Sequence, residues 1–376
     1  MTAVRVISLA AACLAAAPAF ALEQGEHRFN GFGTVGVTHL GGEDEGRSYG
    51  IQGQTNDSWR GDQLSKFGAQ LQYGLTDTIG ATIQLTAKAE KDDWQANLEW
   101  AYLSWQADQN LMLRAGRLRT PVFMYSETLD VGYSYPWLRL PDEVYSLVHL
   151  TNYEGADAIY SLPLSYGSVS LQLAAGQAKN ADTYEYDEDF EMDYENLFGA
   201  NISLATNSFG TFRVGYVEAD LSADFRASVT GFPQPIPFLQ LDEMKGKFTS
   251  IGHQYDNGTW LSANEWVSRS IENDDSGSSD AFYMMGGRRF GEFLAHVTYA
   301  QLDEDAGRQS SWTYGLNYSL LPTVTLKGEY KRVDTRGGYD GVFVPSAREL
   351  TLNAVGAAPA RNFDGDIISV GVDFVF

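Results

Sequence analysis

The chain ends in DIISVGVDFVF, residues Asp366 to Phe376. Every second residue back from the C-terminal Phe376 as far as Ile368 is apolar. Ser369, Gly371 and Asp373 between them are small or polar, and only Val375 and Ile367 depart from this alternation. Such a strand has one apolar face and one polar face. It suits the closing strand of a membrane β-barrel, with lipid on one side and a water-filled lumen on the other. The half-buried edge strand of a soluble β-sandwich is the alternative.

The beginning of the chain favours the membrane barrel. Residues 2–21 read TAVRVISLAAACLAAAPAFA, with one positive charge at Arg5 and an apolar run too short to span a bilayer. Ala19-Phe20-Ala21 fits the small-x-small pattern of a cleavage site. We therefore predict a signal peptide over residues 1–21 and one barrel domain over residues 22–376. The sole cysteine, Cys13, lies in the signal peptide, so no disulfide is expected in the mature chain.

Composition narrows the class further. Beyond the signal peptide no apolar run is long enough for a membrane-spanning helix, whereas 21 Tyr, 20 Phe and 38 Gly suit a barrel with aromatic girdles. The formal charge is -23, and removal of Arg5 makes it -23 - 1 = -24, which argues against nucleic-acid binding. Much of the acid lies in predicted loops, where it is expected to be solvated surface.

The pattern along the chain predicts sixteen strands joined alternately by short turns and long loops. That alternation is typical of an all-β, transmembrane, antiparallel up-and-down barrel with both termini on the side of the short turns. The long loops are predicted at 41–63, 119–152, 179–194, 221–244, 271–279, 303–309 and 334–364, with a brief one at 91–94. The strands are predicted at 28–40, 64–73, 78–90, 95–107, 110–118, 153–162, 167–178, 195–206, 210–220, 245–255, 258–270, 280–290, 292–302, 310–320, 323–333 and 365–376.

The third long loop is the most informative of them. Residues 119–152 read RTPVFMYSETLDVGYSYPWLRLPDEVYSLVHLTN, which is rich in apolar and aromatic side chains. A loop in solvent has little reason to carry these residues, so this one is expected to fold into the lumen and pack against the barrel wall.

This loop resembles the constriction loop of Gram-negative general porins. It is entered through AGRLRTP at 115–121 and contains PDEVY at 141–145. The C-terminal Phe strand and the strand count extend the resemblance over essentially the whole mature chain. The resemblance implies a homotrimer in the outer membrane, in contact with lipid, lipopolysaccharide and the assembly machinery, without a cofactor. It also implies an assembly signal at the end of the chain, formed by Val372, Phe374 and Phe376.

In that family, acids on the third loop face basic residues on the opposite wall and filter solutes by charge and size. The loop acids here are Glu127, Asp130, Asp142 and Glu143. Inward parity selects the wall cations Lys66, Lys88, Arg114, Arg213, Lys327 and Lys331. The alternative for each charge is a structural ion pair or a place at the rim, and Lys327 and Glu329 could simply pair with each other. Arg117 and Arg119, at the strand end, are expected to brace the base of the loop.

Two segments match sequence motifs of enzymes, but the residues around them do not support an enzyme site. GRSYG at 46–50 matches the Gly-x-Ser-x-Gly pattern, but no helical pattern follows it. GFGTVG at 31–36 matches a dinucleotide fingerprint in letters only, because it lies inside the first strand; its glycines are expected to relieve crowding there. The five histidines form no metal-spaced cluster. We expect neither an enzyme nor a metal site.

The predicted function is passive diffusion of small hydrophilic solutes through a pore narrowed by the third loop. A substrate-specific porin is the first alternative, in which Tyr133, Tyr135 and Trp137 would form an apolar track for sugars or organic acids. A plugged structural or adhesion barrel is the second, and ion conductance separates it from an open pore.

Overall fold

The structure is a computed structural model that describes residues 22–42, 47–50, 55–90, 93–185, 188–227, 233–272, 274–344 and 361–376. The predicted signal peptide and its cleavage site lie outside the described residues, and so does the acidic run Glu43–Glu45.

Sixteen antiparallel strands close into one barrel, as predicted. Each strand pairs with its neighbours along the chain, and the first pairs with the last to close the wall. Two short strands, β2 and β17, form a separate ribbon. The strands are β1 His27–Gly41, β2 Ser48–Tyr49, β3 Lys66–Gly74, β4 Ile79–Glu90, β5 Asp93–Gln106, β6 Leu111–Arg119, β7 Asn152–Leu164, β8 Gly167–Glu185, β9 Glu188–Thr206, β10 Gly210–Ala227, β11 Ile236–Asp256, β12 Trp260–Ile271, β13 Asp274–Phe290, β14 Phe293–Glu304, β15 Gly307–Leu321, β16 Val324–Arg336, β17 Phe343–Val344 and β18 Asp364–Val375.

Several strands are longer than predicted. Strands β8 to β11 extend into the segments predicted as loops at 179–194 and 221–244, so the loop prediction was wrong for much of both. The acidic residues there had indicated solvated loops. Aromatic residues alternate with the acids, however, and this keeps a packed face. Phe190 of β9 stacks on Phe225 of β10 with ring centroids 4.8 Å apart, which joins neighbouring strands beyond the predicted loop boundaries. Strand β13 begins at Asp274, β14 ends at Glu304 and β15 begins at Gly307, so the loop prediction was also wrong for most of 271–279 and 303–309.

The closing seam of the barrel depends on glycines. A Cβ at Gly31 would lie 2.1 Å from the ring of Phe376, and one at Gly33 would lie 2.5 Å from the ring of Phe374. The amide of Gly31 donates to the carbonyl of Phe376 at 2.8 Å, and the amide of Phe376 donates back at 2.9 Å. The expectation that glycines relieve crowding in this strand is confirmed for Gly31 and Gly33, since each makes room for an aromatic ring at the chain end.

Two strands stop short on the side of the long loops. Strand β6 ends at Arg119 and β7 begins at Asn152, whereas β5 and β8 on either side continue further. The pairing of β5 with β6 covers only 101–106 of β5. The chain leaves the wall at this point and enters the lumen, so the gap positions the loop that follows.

The segment 120–151, which we name the inward loop, carries three short helical turns among the described residues. They are the 3-10 turns Ser126–Thr128 and Gly132–Ser134 and the α-helical turn Asp142–Tyr145. Helices long and apolar enough to cross a membrane are absent from the described part of the chain.

The inward loop as candidate functional site

The inward loop makes a circuit of the lumen. From β6 it crosses to β11 and β12, returns toward β6, and passes β4 and β3. It then runs along β16, β15 and β14 and comes back to β12. Most of its apolar side chains are buried, including Val122, Trp137 and Val144 at 2 % exposure or less. The prediction of an apolar loop folded against the barrel wall is confirmed.

The aromatic run of the loop packs against the wall rather than facing the pore. The indole of Trp137 donates to the hydroxyl of Thr298 at 2.8 Å, and its ring meets that of Tyr283 edge-on at 5.4 Å. Tyr135 is also buried, and the hydroxyl of Tyr133 donates to the carbonyl of Pro322 at 2.5 Å. An apolar track formed by these three residues is therefore not what the structure shows, because two of the rings lie inside the protein.

Lys327 lies beneath the loop and holds its turn. Its ammonium donates to the backbone carbonyls of Gly132, Tyr135 and Trp137 at 2.8, 2.6 and 2.9 Å. A carboxylate oxygen of Asp373 lies 2.6 Å away, and both side chains are almost fully buried. The suggested pairing of Lys327 with Glu329 is replaced by this contact, because β18 brings Asp373 onto the inward face beside β16.

Polar side chains of the wall satisfy the backbone of the loop at further points. Glu329 accepts the amide of Leu138 at 2.8 Å, and Asn317 donates to the carbonyl of Pro136 at 2.7 Å. Backbone groups taken into a protein interior need such partners. The sequence had indicated Glu329 only as a possible partner of Lys327 and had not indicated Asn317, although their inward parity on regular strands was a usable signal.

Glu265 of β12 is a second anchor that sequence reasoning missed. One carboxylate oxygen accepts the amide of Met124 at 2.7 Å, and the other accepts the hydroxyls of Tyr145 and Tyr283 at 3.0 and 3.3 Å. Nearby, the hydroxyl of Ser250 donates to the carbonyl of Val122 at 2.8 Å. Both ends of the loop are thus fixed to the same part of the wall.

Two predicted loop acids share one predicted wall cation. The ammonium of Lys331 lies 2.9 Å from the carboxylate of Asp142 and 3.2 Å from that of Glu143. Glu143 is fully buried and also accepts the side-chain amide of Gln309 at 2.9 Å. Arg139 lies 3.8 Å from Asp142. This group binds the α-helical turn of the loop to β15 and β16.

A quartet of charges forms where the loop passes the top of β6. Arg119 contacts Asp130 of the loop and lies 3.3 Å from Glu99 of β5. Lys88 of β4 lies 3.2 Å from Glu99 and 3.8 Å from Asp130. Lys66 of β3 lies beside the quartet and donates to the carbonyl of Leu129 and the hydroxyl of Tyr135, both at 3.2 Å.

Glu127 differs from the other loop acids in being open to the lumen. Its side chain is 37 % exposed and lies 3.7 Å from the guanidinium of Arg114, which also binds Asp157 of β7 at 2.9 Å. Arg213 of β10 donates to the carbonyl of Pro121 at 3.2 Å. Gln172 and Asn201 continue this polar row on β8 and β9.

All six predicted wall cations therefore meet the inward loop, either at a loop acid or at a loop carbonyl. Of the two arginines predicted at the loop base, Arg119 contacts the loop through Asp130. Arg117 instead pairs with Glu154 of β7 and donates to the carbonyl of Leu98 of β5 at 2.7 Å. It bridges the two strands that flank the short end of β6.

A cavity of 790 Å³ lies between the inward loop and the wall on the side of the long loops. Lys66, Lys88, Arg119 and Asp130 line it, together with apolar side chains of the loop such as Leu140. It is large enough for a small organic solute.

Two acids of the loop, Asp130 and Asp142, are held in their charged form. Burial raises the pKa of Asp142, but the ammonium of Lys331 and the guanidinium of Arg139 outweigh burial and keep that pKa below its ordinary value. Burial likewise raises the pKa of Asp130, and the charges of Lys88, Arg119 and Lys66 more than offset it. Both carboxylates therefore remain ionised partners of the wall at neutral pH.

Among the described residues, no group of three or more His, Cys, Asp or Glu side chains could hold a metal ion.

Comparison with known proteins agrees with this architecture. A family described as Gram-negative porin matches residues 8–338 of the chain. No curated protein sequence matches it.

Solved structures of porins share the fold at low sequence identity. Outer-membrane expressed OmpT of Vibrio cholerae superposes with a TM-score of 0.61 at 11 % identity, covering 94 % of this chain and 99 % of that one. The trimer form of in-vitro folded OmpT gives 0.56 at 12 % identity, covering 94 % and 100 %. The anion-selective porin from Comamonas acidovorans gives 0.56 at 12 % identity, covering 93 % and 100 %.

Proposed function

The chain belongs to the family of Gram-negative porins, and on that premise we propose how its outer-membrane barrel passes solutes. Small hydrophilic solutes and ions diffuse passively through the lumen, and the inward loop sets the narrowest point. The observation that carries this proposal is that all six inward cations of the wall meet the loop inside a closed barrel. A loop held at so many points keeps its shape, so the opening that it leaves has a defined size.

The charges divide into two roles under this proposal. Lys327, Lys331, Asp130, Asp142 and Glu143 hold the loop, since each is largely buried and paired. Glu127 facing Arg114 and Arg213 forms the charge filter, because the carboxylate of Glu127 is open to the lumen. A charge in a narrow, low-dielectric passage acts on passing ions more strongly than one on an open surface.

We also propose a homotrimer whose mature chain starts at Leu22. The likeness to the trimer form of OmpT supports the trimer. Phe374 and Phe376 stack with ring centroids 6.5 Å apart at the end of β18, which leaves a compact aromatic end for the assembly machinery to bind, with Val372 on the same face. Lipid and lipopolysaccharide would surround the assembled barrel. Mass spectrometry of the purified protein tests the cleavage site, and chemical cross-linking tests the trimer.

Single-channel recording in planar bilayers tests the proposed function. Purified protein should open in steps, in groups of three for a trimer, and a salt gradient should give a reversal potential. Liposome swelling with sugars of graded size should show a sharp upper size for permeation. A barrel that folds but never conducts would overturn the open pore and support the plugged-barrel alternative.

A further inference from the structure

Two lysines face each other across neighbouring strands in the cavity wall. Lys66 of β3 and Lys88 of β4 are direct cross-strand partners, and both side chains point into the lumen. Like charges placed directly opposite each other in a sheet are destabilising. Negative charge near the two ammonium groups would therefore stabilise this arrangement.

Only one of the two lysines has a carboxylate at ion-pair distance among the described residues. Lys88 and Arg119 share the carboxylates of Glu99 and Asp130, so this quartet of two cations and two acids is balanced. Lys66 has no carboxylate within ion-pair distance among the described residues and donates only to neutral oxygens of Leu129 and Tyr135. Lys66, Lys88 and Arg119 thus form a group of three cations beside the two carboxylates of Glu99 and Asp130.

The ammonium of Lys66 has a free donor as well as an unmatched charge. An ammonium carries three N–H groups, and two are used, on Leu129 and Tyr135. The side chain of Lys88 is 26 % exposed, so its ammonium is also within reach of a solute. An anion in the cavity could then accept a charge-assisted hydrogen bond from Lys66 while screening its repulsion from Lys88.

We propose that Lys66 and Lys88 form a binding subsite for the carboxylate of a small organic acid. The subsite rests on the proposed function, because the solute reaches it as cargo of the pore. The apolar part of the acid would lie against the loop side of the cavity, where Leu129, Leu138, Leu140 and Val148 form part of the lining. Inorganic anions would gain the charge contact but not the apolar one.

Benzoate tests the proposal, with uncharged benzamide as its matched comparator. In single-channel recordings of the full barrel, benzoate should interrupt the open current in a concentration-dependent way, and benzamide should not. Lys66→Gln keeps a hydrogen-bond donor for Leu129 but removes the charge, and it should weaken the block at least about tenfold, as should Lys88→Gln. Lys247→Met, at an exposed lysine of β11 outside this cavity, should leave the block unchanged.

The outcomes separate the subsite from the pore. A normal conductance without benzoate block would overturn the subsite and leave the porin function intact. A block that persists at full strength in Lys66→Gln and Lys88→Gln would also overturn it. Calorimetry measures benzoate binding to the detergent-solubilised barrel and tests the subsite even if no current is seen. No binding there would overturn the proposal, whereas binding lost in Lys66→Gln would support it.

Discussion

The ammonium of Lys327 on β16 and the carboxylate of Asp373 on β18 form an ion pair of 2.6 Å beneath the inward loop. Because the same ammonium binds three loop carbonyls, this pair links the closing strands of the barrel to the turn that enters the pore. The position of the loop therefore depends on the closure of the wall.

Lys327→Met should destabilise the barrel by about 3–5 kcal/mol, because it leaves Asp373 buried without a counter-charge. Urea unfolding in detergent micelles measures this change. Lys179→Met is the control, since Lys179 is half exposed and its pair with Glu195 is a surface contact that contributes little to stability. The double variant with Asp373→Asn should recover part of the loss. Equal effects at Lys327 and Lys179 would contradict the anchoring role.

Gly68→Ala, on β3 beside the closing seam, should cost about 1–3 kcal/mol and lower the yield of folded barrel, because its Cβ would meet the buried ring of Phe32 on β1 at 2.1 Å. Heat-modifiable mobility on gels reports the folded fraction. Gly286→Ala is the matched control within a strand, since a Cβ there meets no atom within 4 Å. If both variants fold equally well, the close fit at the seam does not contribute to the stability of the barrel.

Glu127→Gln should shift the selectivity of the pore toward anions. One charge acting over ~7 Å in water is worth about 0.6 kcal/mol, or roughly a threefold change in the permeability ratio. The reversal potential in a salt gradient measures the shift, which should shrink at high salt. Glu195→Gln removes a charge from the long-loop side of β9 and should have little effect. An unchanged reversal potential in Glu127→Gln would show that Glu127 does not contribute to the charge filter.

His149 should make the loop less stable in mild acid. Burial and the nearby guanidinium of Arg269 lower its pKa from 6.5 to about 4, against one backbone hydrogen bond. In the folded loop His149 stays neutral at pH values at which it takes up a proton in the released loop. The stability of the folded loop is therefore full above pH 6.5 and declines as the pH falls toward 4. Current noise recorded between these pH values should rise, and His149→Gln should flatten the change. The same rise in His149→Gln would point to another group.

Asp142 should affect the stability of the protein at lower pH than His149 does. Its pKa lies below the ordinary 3.8 because Lys331 and Arg139 outweigh burial. The stability that it contributes is present above pH 3.8 and is lost as the pH falls through its folded-state pKa. Asp142→Asn should be less stable than the wild type at pH 7, and the difference should vanish in strong acid. Urea unfolding over a pH series checks this, and a difference that stayed constant with pH would exclude the ion pair as its cause.

Much of the site could be predicted because strand parity is a local property. Side chains alternate between the two faces of a strand, so Lys66 and Arg114 could be placed in the lumen without knowing the fold. The many apolar and aromatic residues between Val122 and Val144 likewise predicted a loop that packs inside. The extension of β8 to β11 was missed because acidic residues were taken as a sign of loop even where aromatic residues kept alternating between them.

The sequence by itself determined the barrel, the closing strand, the inward loop and the inward set of charges, because each follows from local alternation or composition. Only the tertiary structure decided which charges meet. Lys327 binds Gly132 across 195 positions of the chain, and Glu265 binds Met124 across 141. Such pairs depend on the register of distant strands and on the circuit of the loop. The exposure of Glu127 and the unmatched charge of Lys66 emerge only when the other partners have been assigned.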